Sequence, residues 1–102
     1  MNIISNETDL NWLRNQIDQL DADLIAILLR RFEMTRNVGR IKAKLGMSSV
    51  DEARLAEVVG RWKSLGLEVD LGAKMIESII TTIHNAVVLE HEVAKFDKNC
   101  KA

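Results

Sequence analysis

Three observations predict an all-α fold of three helices, one of them very long. Apolar residues recur every seven positions, in two offset rows, from about Asp9 to about Lys44. Two shorter amphipathic segments follow. The chain has no proline and only five glycines among 102 residues, so nothing punctuates it often enough for a β-rich fold.

The first helix is defined by its rows. Leu10, Ile17, Leu24, Val38 and Leu45 form one, and Leu13, Leu20, Ile27, Met34 and Ile41 form the other. Together they make a single apolar stripe. Such a helix would be about 54 Å long, whereas a compact monomer of this size has a radius of gyration of ~13 Å. Two shorter helices cannot cover so long a rod, and the simplest cover is a second copy of the chain, stripe against stripe as in a coiled coil.

Gly46-Met47-Ser48-Ser49 reads as a loop. Ser49-Val50-Asp51-Glu52 matches a capping box, with Ser49 capping the second helix and Glu52 reaching back to it. Leu55, Val58, Val59, Trp62 and Leu65 give that helix its apolar face, and Gly66 suits its C′ position. Asp70 suits the N-cap of the third helix. Its buried face is carried by Met75, Ile76, Ile79, Ile80, Ile83 and Val87, to about Lys95. The length fits one domain over 1–102, with a polar tail at about 96–102 expected to fray. Trp12, Trp62 and His84 are assigned to packing and Cys100 to the tail.

Composition narrows the function. The net charge of -1 offers no global field to attract nucleic acid. No apolar run approaches a membrane span, and the first residues lack the pattern of a signal peptide. One cysteine cannot form an internal disulfide, which fits a reducing cytoplasm.

Arg31 stands in the same heptad row as Leu24 and Val38, the only charge in the middle of the stripe. A buried guanidinium needs an anionic partner. Either it makes a structural salt bridge or meets solvent, or it faces a cavity that holds an anion. Lys42 lies eleven residues on, within about 20° of the same direction and ~16 Å along the helix. Two long cationic side chains so placed suit the two ends of one small molecule. Arg14, seventeen residues before Arg31, points about 100° away. It reaches such a cavity only from a partner chain in a crossed or antiparallel dimer. Taken alone, Lys42 and Arg14 read as well as solvated surface charges.

These residues fall into blocks. Leu13-Arg14-x-x-Ile17-Asp18-x-Leu20-Asp21, Leu28-Leu29-x-Arg31 and Val38-Gly39-x-Ile41-Lys42 resemble the first helix of the all-α chorismate mutases. Asp51-x-x-Arg54 resembles the entry to their second helix. The resemblance covers most of the chain and implies an intertwined homodimeric helical bundle. It implies that Arg14 binds one substrate carboxylate in the partner's site, that Arg31 binds the other, and that Lys42 donates to the ether oxygen and a carboxylate. Arg54 would line the site, and the backbone at Asp51 would meet the ring hydroxyl. The substrate would be a small dicarboxylate, and the reaction, within one molecule, calls for no metal or cofactor.

Three positions depart from that pattern. Leu55 stands where a glutamate usually binds the ring hydroxyl, and Val87 stands where the third helix usually supplies a serine. His91 stands where a glutamine or glutamate donates to the ether oxygen, with Glu90 beside it. As a lone late-helix histidine, His91 also reads as a solvated or C-terminal charge. Were it the donor, protonation would strengthen the site as pH falls. Isochorismate pyruvate-lyases, which also carry an apolar residue at the position of Leu55 and a first helix like Arg40-Ile41-Lys42-Ala43, are an alternative. So are a mutase for an amino analogue of chorismate and a non-catalytic helical dimer.

Overall fold

A computed structural model describes residues 6–100, with side chains to 94. Three helices make up almost all of it: α1 (Glu7–Lys44), α2 (Glu52–Glu68) and α3 (Ala73–Cys100). No strand occurs among the described residues, so the all-α expectation holds. The expected tail, about 96–102, lies wholly outside the described side chains.

Local chemistry sets the ends of each helix. The Asn6 side chain accepts from the Asp9 N–H at 3.0 Å, satisfying one of the orphan donors at the start of α1. Glu7 and Asp9 in the first turn, and Lys42 and Lys44 in the last, complement the helix dipole. At the other end, the Met47 N–H donates to the Lys42 carbonyl and the Gly46 N–H to the Ala43 carbonyl, at 2.8 and 3.3 Å. With Gly46 at φ 67°, this is a Schellman ending.

Two expected boundaries differ. Asp51, not Ser49, caps α2: its carboxylate accepts from the Arg54 N–H at 3.0 Å. A charged oxygen three residues before that donor outcompetes a hydroxyl two positions further out. Gly66 does not end α2 but is buried within its last turns. A Cβ there would come within 2.8 Å of Ile76, so the glycine serves close approach to α3 rather than a turn. The turn comes at Asp70, which takes φ 60°. Leu71 N–H donates to the Gly66 carbonyl and Asp70 N–H to that of Leu67, at 2.8 and 3.4 Å. This second Schellman ending makes Asp70 the C′ residue of α2 rather than the N-cap of α3. Aspartate is among the few residues that tolerate the left-handed region.

The chain divides into two compact units, Met1–Met34 and Thr35–Ala102. In the first, the apolar rows lie in the open: Leu10, Ile17, Leu20, Leu24, Ile27 and Met34 are all exposed, Leu20 at 63%. The second holds the core, where α2 packs on α3. Val58, Ile76, Ile80 and Val87 are buried, and Ile80 is wholly inaccessible. Lys63 and Glu77 pair across the two helices at 2.9 Å, a surface contact of small worth. Met75, Ile79 and Leu65, expected on buried faces, are exposed. They border the two-helix core without entering it.

Candidate functional site

The second unit contains a cavity of about 530 Å³, within the usual range for small-molecule sites. Its basic wall comes from Arg36, Arg40, Lys42 and Lys44 of α1. Ser49 of the following loop and Glu90 and His91 of α3 complete its polar lining.

Two of the four cations are tied down. The Arg36 guanidinium donates to both oxygens of Glu90, Nε to Oε1 at 3.0 Å and Nη2 to Oε2 at 3.4 Å. This fork holds the only carboxylate in the wall among the described residues. Arg40 Nη1 donates to the Asn37 side chain at 2.6 Å. Lys42 is half-buried, and among the described residues no carboxylate pairs with it. With Glu90 neutralised by Arg36, the wall keeps an excess of positive charge and a lysine donor for an anion.

His91 is buried, with 9% of its surface accessible. The reading of a solvated helix-end charge is thereby corrected. Its Nε2 lies 2.9 Å from the carbonyl oxygen of Thr35. A carbonyl only accepts, so Nε2 carries the proton and donates. The other ring nitrogen, Nδ1, is buried with no partner among the described residues. Gly39 permits this arrangement. A Cβ at that position would lie 2.6 Å from His91 Nε2 and 2.7 Å from Cδ2, so the ring rests directly on the α1 backbone.

Ser49 is a second buried polar group in the same cavity. It is 4% accessible, and its Oγ has no hydrogen-bond partner among the described residues. Sequence reasoning gave this serine a capping role and so missed its place in the wall. Arg36 and Lys44 were also missed, because in a helix rich in charge nothing in their spacing sets them apart from solvated residues.

The other predicted residues are placed as follows. Lys42 and His91 are brought together in the cavity. Asp51 is half-buried and occupied as a cap, while Arg54 is exposed, 3.6 Å from Glu57 one turn on. Val87 belongs to the apolar core, and Leu55 is half-buried on α2. Arg14 and Arg31 lie in the first unit, the former exposed and the latter half-buried. Among the described residues no cluster of histidine, cysteine or acidic side chains could hold a metal, and no helix is long and apolar enough to cross a membrane.

The family described as chorismate mutase type II matches residues 13–92. Proteins named intracellular chorismate mutase, from Mycobacterium bovis and Mycobacterium tuberculosis, are each 31% identical over 58 residues. Those residues are 57% of this chain and 55% of each relative. A protein of the same name from Mycolicibacterium smegmatis is 32% identical over 54 residues, 53% of this chain and 52% of that protein. The chain thus spans about half the length of the curated relatives it matches.

Proposed function

The chain belongs to the chorismate mutase type II family, and from that premise we propose that it rearranges chorismate to prephenate. The observation that carries the reading is the cationic cavity, lined by the buried His91 and by Lys42, which has no carboxylate partner among the described residues.

The chemistry asks little else of the protein. The rearrangement breaks a carbon–oxygen bond and forms a carbon–carbon bond within one molecule. No nucleophile or proton transfer is needed. Catalysis then consists of holding the dianion in its folded conformer and stabilising the negative charge that grows on the ether oxygen. Arginine forks suit the carboxylates, and a lysine ammonium suits a single oxygen. In this proposal Lys42 faces the ether oxygen, while Arg31 and the partner's Arg14 take the carboxylates by their sequence positions. Arg54 and the backbone at Asp51 border the substrate, and Val87 shapes the site from the core. With Nε2–H committed to Thr35, His91 offers Nδ1, which donates only when the ring is protonated. Two copies form the working unit, each covering the other's exposed apolar rows. The curated relatives are named intracellular, and a cytoplasmic location is proposed here too.

Leu55 favours one competing reading. An apolar side chain cannot bind the ring hydroxyl of chorismate, so isochorismate, whose hydroxyl stands at a different ring carbon and which is cleaved to salicylate and pyruvate, is the alternative substrate. Assaying both compounds separates the two: conversion of chorismate to prephenate is expected, and cleavage of isochorismate alone would overturn the proposal. Lys42→Ala should lower kcat by roughly 10²–10³, the worth of a charge aimed at a developing oxyanion. A loss below about threefold would remove Lys42 from the mechanism.

A further inference from the structure

We propose that Ser49 is a substrate-binding residue whose hydroxyl donates a hydrogen bond to a carboxylate oxygen of the substrate; this rests on the chorismate reading above.

One hydrogen bond in the cavity wall is unmet. Ser49 Oγ is buried, only 4% of the residue is accessible, and no partner lies within reach among the described residues. A buried hydroxyl left this way is costly, and native structures keep few of them without a reason. The capping role that would explain it is already filled by Asp51. Nor does the Val50 N–H need it, since that group donates to the Ser48 hydroxyl at 3.1 Å. No local backbone duty remains for the Ser49 side chain.

The surroundings identify what it waits for. Ser49 lines the same cavity as His91, whose Nδ1 is the other buried side-chain polar atom without a partner among the described residues. Two lining residues that carry such atoms mark a place where a ligand completes the hydrogen bonding. The charge around them selects an anion. Glu90 is neutralised by Arg36, while Lys42 and Lys44 have no ion pair among the described residues. In a wall with this surplus, a serine acts as a donor to a negatively charged oxygen, and the O–H supplies the direction that a lysine point charge lacks. Ser49 is thus a binding residue for the ground state and transition state alike. Its removal is felt in KM rather than in kcat.

Steady-state kinetics on chorismate, with melting curves of the same samples, test this. For Ser49→Ala, KM should rise about tenfold, the scale of one hydrogen bond to a charged group, with kcat changed by less than about threefold. Tm should hold or rise, because an unsatisfied buried hydroxyl has been removed. Ser49→Cys, a weaker donor of similar size, should give a KM between parent and alanine variant. Turnover by the parent with an unchanged KM in Ser49→Ala, whatever its Tm, overturns the Ser49 assignment alone. Absence of chorismate turnover in the parent overturns the underlying reading, and the assignment with it.

Discussion

The two units of the chain are built from the same kind of amphipathic helix and use it differently. In the second, apolar faces meet within one chain, and Val58, Ile76, Ile80 and Val87 disappear from solvent. In the first, an equally regular pattern has nothing to meet. No residue of α1 is buried, and Leu20, Leu24 and Ile27 stay in the open. A contiguous apolar row of this extent marks an interaction surface. The difference teaches that the two units use their apolar faces differently: residues 35–102 carry their own core, while residues 7–34 leave their rows open, to be covered by a second copy in the proposal above.

That contrast can be broken most severely in the first unit. Leu24→Asp places a carboxylate in the row proposed to face the partner. An unpaired buried charge costs several kcal/mol, a large part of the roughly 5–15 kcal/mol that holds a small protein together. Loss of the dimer in sedimentation at micromolar concentration, with a marked loss of helicity, is expected. A variant that keeps full helicity and the parent's association state would contradict it. In the second unit, Gly39→Ala should leave stability within about 1 kcal/mol, since alanine favours the helix by that much. The His91 ring, however, must move off the backbone. Displacing a site group by an ångström costs up to about 10²-fold, and kcat/KM should fall by ten- to a hundredfold on that scale. The smallest effect belongs to Asp51→Ala, which removes one N-cap worth about 1 kcal/mol. For a domain of this size that is a fall of about 4–8 °C in Tm.

The helices were legible because their signal is repetitive. Heptad rows survive any single misreading, and α1 spans the residues they defined. The boundaries were less so, because each rests on one or two atoms. Ser49 and Asp51 both suit an N-cap, and only the placement of the Asp51 carboxylate against the Arg54 N–H decides between them. Gly66 and Asp70 exchanged roles for the same kind of reason: buried close approach claims the glycine, and an aspartate takes the left-handed turn. At the site, Lys42 and His91 could be picked out by position. The contacts that give them meaning could not. Thr35 enters through a backbone carbonyl, which has no sequence signature, and Gly39 matters only because α3 brings a ring against it. The Arg36–Glu90 fork joins residues 54 positions apart, beyond the reach of any local pattern.

The central claim is that the two copies share each site, Arg14 of one chain completing the cavity that holds Lys42 of the other. Arg14→Ala and Lys42→Ala are each expected to be nearly inactive as homodimers. Unfolding them together in equal amounts and refolding gives random pairing, so about half the dimers are mixed under a two-fold assembly. If Arg14 acts across the dimer, a mixed dimer has one site with both residues intact and one with neither, and roughly a quarter of wild-type turnover returns by that count. Recovery no greater than the average of the two parent variants, with heterodimers verified by mass spectrometry, would contradict the account.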